Sequence, residues 1–77
     1  MNLQDFKDKA KVTPFDSGRT KGHHYHYKYY SISIGQSFDY KGRVENNDYH
    51  NCWDMTRKGD ARYITRDTFL SIIDNLN

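Results

Sequence analysis

Seventy-seven residues with a mass of 9.2 kDa supply one small core, because a chain this short buries only about 60% of its unfolded surface; a multidomain enzyme is excluded. The apolar fraction is 35% and is weighted toward rings, with seven Tyr, four Phe and one Trp, so the core has to be largely aromatic. The net charge of +2 is unevenly spread: residues 1–30 hold six Lys/Arg, three Asp and three of the four His, the remainder is net −1, and a pI near 8.7 falls short of a dedicated nucleic-acid module.

Nothing approaches the roughly 18 apolar residues that span a bilayer, and the start MNLQDFKDKAK lacks the apolar centre of a signal peptide. A soluble, cytoplasmic protein is expected. Cys52 stands alone, so no internal disulfide compensates for the small core, in keeping with a reducing compartment. Lys, Asn, Ile, Tyr and Phe total 29 residues against 13 for Ala, Gly, Pro and Arg, a balance that suits an AT-rich bacterial or bacteriophage gene.

Taken in chain order, Leu3, Phe6 and Ala10 form one stripe of a short helix within Met1–Val12, the other faces carrying Asp5, Asp8, Lys7, Lys9 and Lys11. Thr13 and Pro14 stop it, and residues 16–22, rich in turn formers, are expected to be a loop. Residues 1–22 therefore make a basic, partly mobile arm. Residues 23–77 make a single small α+β domain.

From His23 to Thr65 the period is two. Tyr30, Ile32 and Ile34 alternate with Ser31 and Ser33; Phe38, Tyr40 and Val44 with Asp39, Lys41 and Arg43; Tyr49, Trp53 and Met55 with His50, Cys52 and Asp54. Turns are expected at residues 35–37, 45–48 and 56–60. With these loops Tyr40 pairs with Trp53, Phe38 with Met55 and Trp53 with Tyr63, all on one apolar face, which predicts an antiparallel meander of three to four strands. Thr65 is the expected N-cap of a C-terminal helix whose residues Phe69, Leu70, Ile72, Ile73 and Leu76 cover that face.

That register gathers Tyr27, Tyr29, Lys41, Arg43 and His50 on the uncovered face, together with Cys52, Asp39 and Asp54, and sets Tyr29 opposite Arg43. Rings interleaved with cations suit a protein interface or a single-stranded nucleic acid, and equally suit ordinary cross-strand pairing. Arg19, Lys21, His24, His26 and Lys28 form a secondary candidate surface.

His24-x-His26 and His50-x-Cys52 each offer two metal ligands, but the register puts His24 and His26 with Tyr30 and Ile32, and His50 and Cys52 on the opposite face. No metal or other cofactor is expected. His24 or His26 with Lys28 or Arg43 is the residue set that a small metal-independent ribonuclease would use. The low total charge favours a small non-catalytic regulatory or inhibitory binding protein, of a bacteriophage-type accessory kind, acting on a host protein through the bare sheet face. The alternative is a single-stranded nucleic-acid binder using the same face.

Overall fold

The structure, a computed structural model, describes residues 1–76; Asn77, the last residue of the domain read from the sequence, lies outside the described residues. Its elements are α1 (Leu3–Lys9), β1 (Lys11–Asp16), β2 (Thr20–Tyr27), β3 (Tyr30–Phe38), β4 (Val44–Arg57), β5 (Asp60–Ile64) and α2 (Arg66–Asp74). The strands form one antiparallel sheet in the order β1-β2-β3-β4-β5, each pairing with its chain neighbour. The α+β class, the meander and both helices match the sequence. The sheet has five strands where three to four were expected.

All of β1 and the first three residues of β2 come from residues read as an arm. Asn2 caps α1, its side-chain oxygen accepting from the Asp5 N–H at 2.8 Å while the Asp5 carboxylate accepts from the Asn2 N–H at 3.4 Å. After Ala10 the chain turns extended, and β1 pairs with β2 from Lys11 with His26 to Asp16 with Lys21. Pro14 is tolerated because β1 is an edge strand, where a missing N–H deprives no neighbour of a ladder bond. Only residues 17–19 are left between the strands, and Asp16 Oδ1 accepts from the Gly18 N–H at 2.9 Å to close the turn.

Two expected turns lie inside strands. Residues 35–37 belong to β3 and residues 45–48 to β4, where register shifts between Gly35 and Phe38 absorb the irregularity. The reversal instead takes place at Asp39–Arg43. Asp39 Oδ1 accepts from the N–H groups of Lys41 at 2.8 Å and Arg43 at 3.0 Å, and Gly42 sits at φ +79°, a conformation open to glycine at no steric cost. These bonds, led by that from the Arg43 N–H and joined by the Arg43 guanidinium at 3.4 Å, hold the Asp39 carboxyl below its usual range.

Moving the turn shifts β4 by one residue against the expected phase. Ile32 pairs with Cys52 and Ser31 with Trp53, and neither Tyr40 nor Phe38 reaches the pairs foreseen for it. Trp53 does pair with Tyr63, but on the other face. The buried core is Phe6, Ile32, Cys52, Phe69 and Ile73, flanked by half-buried Tyr25, Tyr27, Tyr30, Ile34 and Ile64. Phe6 stands edge-on to Phe69 at 5.1 Å and to Tyr27 at 6.0 Å, so the ring of α1 joins both helices to the sheet. Thr65 is the N-cap of α2, as expected, accepting from the Thr68 N–H at 3.1 Å. No helix among the described residues is long and apolar enough to cross a membrane.

Candidate functional site

Both helices pack on the face that carries Tyr25, Ile32 and Cys52, and the alternation of strands sends the intervening residues to the bare face. Three cross-strand rows follow from the register. Lys11, His26, Ser31, Trp53 and Tyr63 form the first, Thr13, His24, Ser33 and Asn51 the second, and Phe15, Gly22, Gly35 and Tyr49 the third. These rows contain no carboxylate and a single Lys or Arg, Lys11.

The face is lined by rings that touch one another. Trp53 and Tyr63 lie 3.7 Å apart at 32°, with Tyr63 67% exposed. Phe15 and His24 stack at 4.5 Å and 23°, and Tyr49 approaches Phe15 to 6.3 Å across the glycine pair. A side chain at Gly22 would overlap the Ile34 carbonyl oxygen, and one at Gly35 the Lys21 carbonyl oxygen; only glycine permits this approach of β2 to β3. Tyr49 and Trp53, four residues apart on β4, mark two aromatic patches about 13 Å apart.

Hydrogen-bonding groups fill the space between the patches. The buried Ser33 hydroxyl shares a hydrogen bond with His24 Nδ1, which satisfies a polar group that would otherwise be costly to bury. Asn51 Nδ2 donates to the Tyr49 hydroxyl at 2.6 Å. These contacts orient the rings and donors of the face. Ser33, at 3% exposure, is too enclosed to meet a substrate as a nucleophile.

The residues singled out from the sequence are dispersed. Tyr29 lies in the β2–β3 turn and is 62% exposed, whereas Lys41 and Arg43 lie in the β3–β4 turn at the opposite end of a nine-residue strand, about 30 Å away. Tyr29 is therefore not opposite Arg43. Tyr27 faces the helices against Phe6, with the Lys28 ammonium 5.6 Å from its ring centroid. His50 belongs to the Ile34 row on the helix side, and its Nδ1 donates to the Asp48 carbonyl at 2.9 Å.

Among the secondary candidates, Arg19 is exposed in the β1–β2 turn and Lys21 lies 3.7 Å from Asp16 on the helix side. His24 and His26 share the bare face, in phase with Ser33 and Ser31 rather than with Ile32 and Tyr30. Cys52 lies in the core, where burial pushes its thiol up to about 11, out of the reactive range. The two pairs of possible metal ligands thus face opposite sides of the sheet. Lys28 and Arg43 likewise lie at opposite ends of it.

Phe15, Tyr49, Asn51, Trp53 and Tyr63 were not placed on the bare face by sequence reasoning. A usable signal was present in Cys52, since free cysteine is among the most buried residue types and phasing β4 on it puts Trp53 outside. No family model matches the chain, and no curated protein or solved structure is significantly similar to it.

Proposed function

We propose that this protein is a non-catalytic binding module that docks on another protein through the helix-free face of its sheet, as a regulatory or inhibitory accessory factor. The observation that carries this is the pair of ring stacks, Trp53 with Tyr63 and Phe15 with His24, on a face whose rows hold one fixed charge, Lys11. Aromatic enrichment with depletion of charge is the composition of an interface centre. Rings already stacked and hydroxyls already bonded lose little conformational freedom on docking.

Nucleic-acid binding draws most of its affinity from phosphate neutralisation, which needs several cations along the contact. One lysine supplies little of it.

The test is capture of partners from lysate of a host cell by wild-type protein and by the Tyr63→Ser/Phe15→Ser variant, each with and without nuclease. The expected result is a protein captured by the wild type, retained after nuclease treatment and lost with the variant, whose fold is checked by circular dichroism. Capture that survives the double substitution places the contact elsewhere. Capture abolished by nuclease identifies the face as a nucleic-acid surface.

A further inference from the structure

The two helices cover only part of their side of the sheet. Beyond them the alternate residues Tyr25, His23 and Lys21 of β2, Ile34 of β3, and Pro14 and Asp16 of β1 line an open groove of about 670 Å³. Gly22 and Gly35, where the two backbones close together, lie at its base. The volume lies within the roughly 300–1,000 Å³ typical of small-molecule sites. The groove opens on the helix side, away from the proposed docking face, and of that face's rings only Phe15 contributes to its lining.

We propose that this groove is a second binding site, and that it takes a small aromatic monoanion with a flat ring, such as an arylacetate. Pro14, Ile34 and the tilted rings of His23 and Tyr25, 6.4 Å apart, form walls for a flat apolar ring. The charges around it favour an anion. Lys21 and the carboxylate of Asp16 line it, and outside the lining the ammonium of Lys7 on α1 stands 5.2 Å from the centroid of the Tyr25 ring, adding a second cation beside it. The Lys21–Asp16 contact is long, 3.7 Å, and both partners are more than half exposed, so it restrains Lys21 weakly and leaves the ammonium able to reach a ligand.

The experiment is an NMR titration of the intact protein with naphthylacetate, the neutral naphthylacetamide and the cationic naphthylethylamine, following backbone amides. The expected result is saturable shifts at Gly22, His23, Tyr25, Ile34 and Gly35, with affinity falling from anion to amide to amine. Lys21→Glu, at an exposed position that leaves the fold intact, is expected to weaken the anion about fivefold and to leave the amide unchanged. Equal affinity for the three compounds, shifts confined to Trp53 and Tyr63, or no shift at all overturns the proposal. Shifts confined to Trp53 and Tyr63 would put the ligand on the docking face instead; the other outcomes leave that face untouched, and it is tested separately by partner capture.

Discussion

Removing the Phe6 ring tests whether the first ten residues belong to the core. Phe6 is fully buried, meets Phe69 and Tyr27 edge-on, and is the residue through which α1 enters the cluster of Ile32, Cys52 and Ile73. Phe6→Ala loses the transfer free energy of the ring and leaves a cavity that two helices and a sheet cannot fully close, about 3–5 kcal/mol. A domain of 77 residues has a total stability of roughly 4–12 kcal/mol, so the variant is expected to be marginal or unfolded.

Urea denaturation followed by circular dichroism is the assay. With a slope of about 1 kcal/mol per molar, typical of the smallest domains, the midpoint drops by about 3 M or the folded baseline disappears. Phe6→Leu keeps most of the volume and is expected to lose about 1 kcal/mol while retaining a cooperative transition. Tyr40→Ala, at a position 81% exposed, serves as the control and is expected to change little. A Phe6→Ala midpoint within about 0.5 M of the wild type would refute the placement of α1 and return residues 1–10 to the role of an appended arm.

Other perturbations probe separate parts of the fold. Gly35→Ala drives a methyl group into the Lys21 carbonyl and is expected to cost at least about 2 kcal/mol in the same denaturation assay, whereas a neutral result would deny the close approach of β2 to β3. The Cys52 thiol, raised from 9.0 to about 11, is expected to resist thiol-specific reagents at pH 8 until the protein is unfolded. The folded state keeps that proton where the unfolded state loses it, so stability is unaffected below about pH 9 and falls as pH rises toward 11; a Cys52→Ala variant should lack this alkaline decline. Asp39, held below 3.8 chiefly by the Arg43 N–H, contributes stability present above that pH and lost as pH falls through its folded value; Asp39→Ala is expected to remove this part of the acid titration.

The fold was legible where a strong local signal agreed with tertiary packing. Tyr30, Ile32 and Ile34 alternate without ambiguity, and Thr65 caps α2 as its hydroxyl predicts. Reversals were harder to read, because Gly35-Gln36-Ser37 and Glu45-Asn46-Asn47-Asp48 have the composition of turns. Gly35 is needed for backbone approach instead, and the Asn-rich stretch lies at a β-bulge.

Misplacing that one turn inverted the phase of β4, and the side-chain period of two then carried every residue of the strand to the wrong face. The candidate site suffered most for this reason. Trp53 was assigned to the core by that register, although the space under the helices is filled by the smaller Cys52 among Phe6, Phe69 and Ile73. Pro14 and Gly18 concealed β1 in the same way, because the edge position that tolerates proline is a property of the whole sheet.

Trp53 is the chain's one tryptophan, so its fluorescence reports on the helix-free face alone. Acrylamide quenching of that fluorescence, compared between the free protein and its complex with a captured partner that lacks tryptophan or carries a non-fluorescent analogue of it, tests the docking face most directly. Measurable quenching in the free protein, where Trp53 is half-buried beside an exposed Tyr63, and its suppression in the complex is the predicted result. Quenching unchanged by a complex shown to have formed would contradict the assignment of this face.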